Sequence, residues 1–326
     1  MLLSIITSLG YIFFGLVSGY IIQQLVERKL ISLSISLEKL RKRLQKIGLL
    51  FFMPVSFVGA LWIIQVENLR IVALPFLGIF ALLLGGILGF VMAKIFGLDR
   101  KDTGSMFVCG SFSNIGSIGG LLCYLFLGEK GFALFPIYKL FEQVIYYAIN
   151  FPIAKSFSDE VVEKESIASQ LKKVFTDIFV IVALLSIAIG AFLNLSGIER
   201  PEIYKTINAI FIPGGTVILL ISIGLAVKFR KVLIYFKECM AISFIKFLLI
   251  PFSISAIAVL LGYGVLEGGL PLKVVIILSS MPVGFTALVP VSIYDLNLDL
   301  ANSCWLVTTL GLLIVIPILS YIVRLI

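Results

Sequence analysis

The chain has 326 residues, of which 60% are hydrophobic and 13% charged, and its mean hydropathy is +1.15. A soluble domain of this length cannot carry so apolar a composition, so the sequence predicts an all-α polytopic membrane protein. It has no histidine and no metal-ligand spacing among its four cysteines, so we expect no metal, no cofactor and no enzymatic activity. The net charge of +8 comes from basic residues that lie between apolar segments, which argues against nucleic acid as a partner.

Apolar stretches of about 20 residues are long enough to cross a bilayer, and the sequence contains ten of them. The first begins near residue 3 without the basic residues of a cleaved signal, so we expect it to be retained as a helix. The ten predicted spans are 3–25, 47–64, 71–93, 103–127, 131–151, 175–195, 204–227, 238–262, 272–294 and 300–323.

Lysine and arginine are distributed unevenly between the connecting loops. Eighteen lie in the odd-numbered loops and six in the even-numbered loops, the span ends that border them and the tails, while Lys139 and Lys246 fall deep inside spans. Because cytoplasmic loops carry the excess of basic residues, the odd-numbered loops are predicted to be cytoplasmic. Both termini would then be extracytoplasmic, in a multi-pass protein of the plasma or inner membrane.

The two halves of the chain repeat one pattern at a period near 160 residues. Pro54 in the second span corresponds to Pro213 in the seventh, and each is expected to kink its helix. Because each half contains five spans, an odd number, the second copy would enter the membrane in the opposite orientation. We therefore predict a first five-helix repeat over 1–151, a cytoplasmic linker over 152–173 and an inverted repeat over 174–326.

The fourth and ninth spans are apolar but rich in residues that weaken a continuous helix. The fourth reads GSFSNIGSIGGLL over 110–122, and the ninth reads SSMPVGFTALVP over 279–290. Glycine, serine, asparagine and proline at these positions predict that both spans break near the middle of the membrane. In the fourth span, Gly116-x-x-x-Gly120 also fits a helix-packing motif, and this alternative stays open.

Paired interrupted helices at matching positions of two inverted halves are typical of transport sites. The unpaired N–H groups where a half-helix ends carry partial positive charge, so two breaks that meet would bind an anion. Asn114 either caps a half-helix or donates to a substrate carboxylate, and these roles are compatible. The candidate substrate-binding residues at the breaks are Asn114, Gly116, Ser117, Gly119, Gly120, Pro282 and Gly284.

The fifth span carries five polar residues at helical spacing, so that they share one face: Lys139, Glu142, Gln143, Tyr146 and Asn150. Ionisable residues inside a membrane are costly and by default functional, so Lys139 and Glu142 are also candidate substrate-binding residues. The alternative is a purely structural ion pair in which each neutralises the other. Lys246 in the eighth span is a weaker candidate, because its side chain could extend to the cytoplasmic surface.

Two other groups of residues favour structural roles. Gly85, Gly86 and Gly89 in the third span predict close packing against a neighbouring helix. Trp62 and Trp305 lie near predicted span ends and are expected to sit at the membrane interface.

Four stretches of the chain resemble the auxin efflux carrier family, which includes plant auxin exporters and prokaryotic carriers of malate- or malonate-like dicarboxylates. They are NIGSIGGL over 114–121, Pro213 with LLISIGL over 219–225, Met281-Pro282, and Tyr294-Asp295 with the region of Ala301. The likeness runs nearly end to end. The chain departs from the family pattern at Leu121, where proline is usual, and at Asp295 or Leu296, where a turn would carry glycine.

The resemblance implies a ten-helix fold of the bile-acid-symporter and sodium/proton-antiporter kind, in which the fourth and ninth helices unwind and cross beside the substrate. Spans one, two, six and seven would form a scaffold that dimerises, and the other six spans a mobile core. Asn114 and Pro282 with its neighbours are then substrate-site positions. Ser56, near Pro54, would face the site from the scaffold.

The leading hypothesis is a secondary active transporter of an organic anion, a carboxylate such as a dicarboxylate or an auxin-like acid, that works by an elevator or rocking alternating-access mechanism. The expected partners are this anion, Na⁺ or H⁺ as a coupling ion, the bilayer and a second copy of the chain. The fourth and ninth spans lack Asp and Glu, which argues against a cation/proton exchanger. Two alternatives stay open: a sodium-coupled symporter of the bile-acid type, and a non-transporting sensor or receptor with the same pocket.

Overall fold

The computed structural model describes residues 2–64, 69–158, 169, 172, 175–227 and 232–326. These residues form helices joined by turns, and the extended pairing found among them is one isolated antiparallel β-bridge. Within this described part, eight helical segments are long and apolar enough to cross a membrane: Leu2–Glu27, Leu37–Leu61, Arg70–Ile95, Ile115–Ser156, Ile178–Leu195, Ile203–Gly224, Phe236–Leu260 and Leu298–Leu325. The prediction of an all-α polytopic membrane protein is confirmed.

The described helices follow one another along the chain. The first eight are α1 (Leu2–Glu27), α2 (Leu37–Ile47), α3 (Met53–Leu61), α4 (Leu74–Ile95), α5 (Arg100–Ser111), α6 (Gly120–Tyr138), α7 (Glu142–Ile145) and α8 (Phe151–Ser156). The others are α9 (Ile178–Leu195), α10 (Ile203–Gly224), α11 (Phe236–Phe244), α12 (Ile250–Leu260), α13 (Leu270–Ser279), α14 (Leu288–Ile293) and α15 (Leu298–Leu325). Single π-helical turns lie at Gly48–Phe52, Ile115–Gly119, Tyr146–Asn150 and Ile245–Leu249.

The first turn of an α-helix has backbone N–H groups without a partner in the helix. At several helices a side chain just before the helix accepts a hydrogen bond from one of these groups. Ser36 accepts a hydrogen bond from a backbone N–H of α2, Asp99 from one of α5, Asp177 from one of α9 and Asn297 from one of α15. Ser, Asp and Asn are favoured at this position because their short side chains reach the free N–H groups.

The predicted fourth and ninth spans are absent from the eight long segments because each is interrupted. In the fourth, α5 has 12 residues and residues 112–114 are not helical; in the ninth, α13 has 10 residues and α14 has 6. At about 1.5 Å per residue, none of these pieces covers a hydrocarbon core of about 30 Å alone. The predicted breaks are therefore confirmed, while the count of ten crossings stays a prediction.

The fifth predicted span is not one continuous helix, which corrects the expectation of a single helical face. α6 continues from the fourth span through Gly128, whose φ of +71° marks a kink, and ends at Tyr138. Residues 139–141 then form a turn before α7 and the π-helical turn that leads into α8. Pro136 lies just before this turn, where the absence of its N–H weakens the helix.

The described residues cluster into two compact units. The first draws on Met1–Glu67, Gly116–Pro136 and Asp177–Lys228. In it, α1 and α10 pack closely, since a Cβ added at Gly15 would lie 2.7 Å from the Cβ of Leu220 and one added at Gly19 would meet the backbone of α10. A partly exposed ion pair of 2.6 Å joins Arg200 to Glu129.

The second unit draws on Asn68–Ile115, Ile137–Thr176 and Phe229–Ile326. Its closest helix pair is α4 and α5. A Cβ added at Gly85 or Gly89 would collide with backbone of α5, and one added at Gly86 would lie 2.7 Å from the ring of Phe107. The predicted close packing of the third span is confirmed, and it fixes the first half of the interrupted fourth span.

The domains predicted from the sequence are two repeats that follow one another along the chain, and they are not the same as these two compact units. The division into 1–151 and 174–326 stays a prediction. The predicted linker, 152–173, lies mostly outside the described residues. Trp305 is only 1% exposed and packs edge-on against Phe285 at 5.5 Å, so its predicted interface position is wrong.

Candidate functional site

The two breaks meet in the second unit through their backbones. Residues 112–114, between α5 and the π-helical turn, run antiparallel to residues 282–284, between α13 and α14. The backbone N–H of Asn114 donates to the carbonyl of Pro282 at 2.8 Å, and that of Gly284 donates to the carbonyl of Phe112 at 3.1 Å. The bridge pairs Ser113 with Val283. The two interrupted helices are thus joined by a short piece of β-structure.

The sequence at the breaks favours this extended pairing. Phe112 and Gly284 both have extended backbones, with ψ of 130° and 142°. A Cβ added at Gly284 would lie 2.9 Å from the carbonyl oxygen of Ser113, so only glycine permits this approach. Pro282 has no N–H and disfavours helix at the residue before it, which helps to end α13.

The remaining backbone donors at the breaks are satisfied by side chains from other helices. The N–H of Ser113 points to the hydroxyl of Tyr146 at 3.4 Å, and the N–H of Val283 donates to the Oγ1 of Thr308 at 3.2 Å. A membrane core offers no water to such groups, so non-helical backbone there needs protein partners. Tyr146 and Thr308 therefore support the two breaks, a role that the sequence reasoning did not assign to either residue.

The polar residues of the fifth span form a connected network beside the first break. Lys139 and Glu142 form an ion pair of 3.0 Å, and the hydroxyl of Tyr146 donates to Glu142 at 3.0 Å. The ring of Tyr146 stacks on Phe112, with centroids 3.9 Å apart and planes 9° apart. Glu142 is buried. The ion pair between Lys139 and Glu142, which the sequence analysis left as an alternative, is present. The carboxylate of Glu142 and the hydroxyl of Tyr146 connect Lys139 to the backbone N–H of Ser113.

A second contact holds the end of α5. The side-chain amide of Asn150 donates to the Oγ of Ser111 at 2.7 Å, and this hydroxyl donates to the carbonyl of Leu82 at 2.9 Å. All three residues belong to the second unit. The last turn of α5 is thus bonded both to the fifth span and to α4, which positions the break that follows it.

Lys246 lies at the first break and not at the cytoplasmic surface, which corrects the expectation that its side chain could reach that surface. It sits in the π-helical turn between α11 and α12, has no exposed surface, and donates from Nζ to the Oγ of Ser113 at 2.8 Å. Ser113 itself is partly exposed. A lysine in an apolar span was the available sequence signal, but its partner could not be read from spacing.

The structure divides the other predicted site residues between the two units. Asn114, Lys139, Glu142, Pro282 and Gly284 belong to the second unit, whereas the remaining candidates belong to the first, namely Ser56, Gly116, Ser117, Gly119 and Gly120.

In the first unit, the Oγ of Ser56 donates to the carbonyl of Phe52 within its own helix, at 2.8 Å. A Cβ added at Gly120 would lie 2.9 Å from the ring of Phe135. Gly120 therefore has a packing role, and the ligand roles of all ten candidates stay predictions.

A further polar cluster, missed by the sequence reasoning, ties together three chain segments at one end of the second unit. The amide of Asn297 donates to Asp102 at 2.6 Å and to the hydroxyl of Tyr235 at 2.9 Å, while Ser105 donates to the carbonyl of Asn297 at 3.1 Å. Burial raises the pKa of Asp102 above its ordinary value, and the nearby carboxylates of Asp99 and Glu238 raise it further. The hydrogen bond from Asn297 lowers this pKa, but by less than burial raises it.

An apolar groove of about 650 Å³ lies elsewhere in the second unit, along α12, α13 and α15. Its walls include Phe252, Val259, Ile276, Ile314 and Ile318. These hydrocarbon side chains offer no partner for a charged group. The groove therefore differs in chemistry from the breaks, where buried polar groups converge.

A family model described as a membrane transport protein matches residues 34–320 of the chain. No curated protein matches it. The interrupted, paired helices and the long apolar segments agree with that description. The chain is therefore a multi-pass membrane transporter of the membrane transport protein family, the auxin efflux carrier family that its motifs resemble.

Proposed function

We propose that this transporter is a secondary active carrier of an organic anion, a carboxylate, and that it works by alternating access through an elevator or rocking motion. The observation that carries the proposal is the backbone pairing of the two breaks, where Asn114 bonds to Pro282 and Gly284 to Phe112. Interrupted helices of this kind are how secondary transporters place substrate sites inside the membrane.

The charges near the breaks favour an anion over a cation. Lys246 is buried against Ser113, and the nearby carboxylate of Glu142 is already paired with Lys139. A site for a metal cation or a proton carrier needs an available carboxylate or a set of oxygen ligands. Neither the fourth nor the ninth predicted span contains an acidic residue. The local field is therefore positive, which supports carboxylate binding.

The coupling ion is proposed to be Na⁺ or H⁺, and the assembly to be a homodimer through the scaffold helices. A sodium-coupled symporter remains the second candidate, because backbone carbonyls released at a break can hold sodium without acidic side chains. A sensor with the same pocket would bind the anion without moving it.

The proposal is tested with purified protein in liposomes and labelled acetate, phenylacetate, malonate and malate. Uptake is measured with no gradient and with a sodium, proton or voltage gradient. We expect at least one anion to accumulate under one of these gradients. Binding of an anion without uptake under any gradient would favour the sensor, and a strict need for sodium would favour the symporter. No binding and no uptake of any anion would refute the proposal.

The roles of Lys139 and Glu142 are tested separately with the variants Lys139→Met and Glu142→Gln. If the pair acts on the substrate, uptake falls in both variants while the purified proteins stay folded. Unchanged uptake in both would mean that the pair is purely structural.

A further inference from the structure

Lys246 and Ser113 form a pair of donors whose hydrogen-bonding capacity is not used up. A lysine ammonium has three N–H donors, and a serine hydroxyl has one O–H donor besides its acceptor positions. Lys246 uses one donor on the Oγ of Ser113, at 2.8 Å. Among the described residues, neither side chain makes another hydrogen bond. Two ammonium donors and one hydroxyl donor are therefore left at the first break.

The charge of Lys246 is also left without a partner in the described part of the second unit. No carboxylate there lies within 4.0 Å of its Nζ, whereas the other lysine beside the break, Lys139, is paired with Glu142 at 3.0 Å. Lys246 has no exposed surface, so water does not screen its charge as it would at the protein surface. A fully buried, unpaired charge is costly and calls for a counter-ion.

The two donor groups are close enough for both to reach one carboxylate group. The Nζ of Lys246 and the Oγ of Ser113 lie 2.8 Å apart, at the central residue of the extended segment that pairs with Val283. Ser113 is partly exposed, so the residue is not sealed inside the protein. A carboxylate has only acceptor positions and one negative charge, and it matches a cluster made only of donors with one positive charge.

We propose that Lys246 is the residue that binds and neutralises the carboxylate of the substrate, with the Ser113 hydroxyl as the second donor. This inference rests on the proposed function and names a binding residue of that same site. Asn114 and the glycines then shape the backbone around the carboxylate, and Lys246 supplies its counter-charge. Lys139 does not share this role, because its charge is neutralised by Glu142.

The test compares acids with their uncharged amides, because a residue that only supports the fold would not distinguish them. Affinities of the purified protein are measured by calorimetry for phenylacetate and phenylacetamide and for malonate and malonamide. The variants are Lys246→Met, which keeps an unbranched side chain of similar length, and Ser113→Ala. Lys273→Met is the control, since Lys273 is partly exposed at the start of α13 and donates to the carbonyl of Gly268 just before that helix.

We expect Lys246→Met to weaken binding of the acid by roughly tenfold to a hundredfold, the usual effect of losing a charged hydrogen bond, and to leave the amide unchanged. Ser113→Ala should weaken acid binding by a smaller factor, and Lys273→Met should match the wild type. Thermal unfolding of each variant shows whether it is folded, and Ser113→Ala provides the independent test if Lys246→Met does not fold.

The failure of this inference differs from the failure of the proposed function. If the wild type binds an acid and both site variants keep the same preference for acid over amide, Lys246 is not the carboxylate residue, although anion binding by the protein still stands. If the wild type binds none of the acetate, phenylacetate, malonate and malate panel, the proposed function fails and the assignment of Lys246 fails with it.

Discussion

Tyr146 connects the charged pair of the fifth span to the backbone of the first break. Its hydroxyl donates to Glu142 and accepts from the N–H of Ser113, while its ring stacks on Phe112. Tyr146→Phe keeps the ring and removes only the hydroxyl. We expect it to lower the free energy of unfolding by about 1–3 kcal/mol, because a buried donor and acceptor lose their partner. Thermal unfolding in detergent measures the change.

The control for this substitution is Tyr321→Phe, since Tyr321 is 58% exposed on α15. Removal of its hydroxyl should leave the unfolding temperature within experimental error of the wild type. Equal effects of the two substitutions would mean that the Tyr146 hydroxyl does not support the break.

Asp102, in the polar cluster at one end of the second unit, makes the stability of the folded protein depend on pH. Its pKa is raised in the folded protein, mainly by burial, so the folded state favours the protonated form more than the unfolded state does. The stabilising contribution of this group is therefore present below its unfolded pKa of about 3.9 and is lost as pH rises through the folded pKa.

Asp102→Asn should consequently raise the stability at neutral pH, by less than about 1 kcal/mol because the site is partly exposed. Asparagine keeps an oxygen that accepts the hydrogen bond from Asn297. Unfolding temperatures of wild type and variant between pH 4 and pH 8 should converge towards the acid end. A variant that is less stable than wild type at neutral pH would contradict this reasoning.

At the scale of the helix, glycines allow α4 and α5 to approach until their backbones touch. Gly89 faces the backbone of Met106, whereas a Cβ added at Gly10 in α1 would meet no atom within 4 Å. Gly89→Ala and Gly10→Ala are therefore a matched pair. We expect Gly89→Ala to destabilise the protein by about 1–3 kcal/mol through overpacking, and Gly10→Ala to be neutral or stabilising because alanine favours helix. Denaturant unfolding compares the two, and equal stabilities would argue against this close contact.

The interrupted helices could be predicted because their cause is local. Asn114, Gly116, Pro282 and Gly284 weaken helix wherever they occur, and two such groups in apolar spans at matching positions indicate a paired break. The same reasoning could not show that Asn114 bonds to Pro282, because the two residues lie about half the chain apart. It also predicted ten spans, whereas eight long helical segments are found in the described part of the chain, since a window of hydrophobicity does not detect where a helix stops.

The supporting residues could not be identified from the sequence. Thr308 and Ser113 are ordinary residues in apolar segments, and their roles arise only when distant helices bring Val283 and Lys246 to them. Trp305 was placed at the interface on residue type alone, whereas the packing around the second break buries it. Tertiary contacts decided these positions.

At the scale of the whole molecule, the sidedness of the loops can be measured directly. The four cysteines of the chain, Cys109, Cys123, Cys239 and Cys304, are all buried and free. A membrane-impermeant maleimide should therefore label the wild type weakly, and a cysteine introduced at an exposed position should be detected over a low background. The positive-inside distribution predicts that Lys42→Cys is labelled only from the cytoplasmic side and Glu199→Cys only from the opposite side.

This labelling is measured on intact cells and on inverted membrane vesicles, with the cysteine-bearing wild type as the reference. Labelling of Lys42→Cys from outside intact cells would reverse the predicted orientation. Labelling of both positions from one side would contradict the predicted crossings between them.

The main-chain bridge between Ser113 and Val283 also limits how the protein can move. If one half-helix slid away from the other, the donors of Asn114 and Gly284 would be stripped of their acceptors in surroundings that offer no replacement. Separation would thus cost far more than joint displacement. In the proposed transport cycle we therefore expect the two discontinuous helices to be displaced together, and the flexibility to come from chain segments outside this crossing.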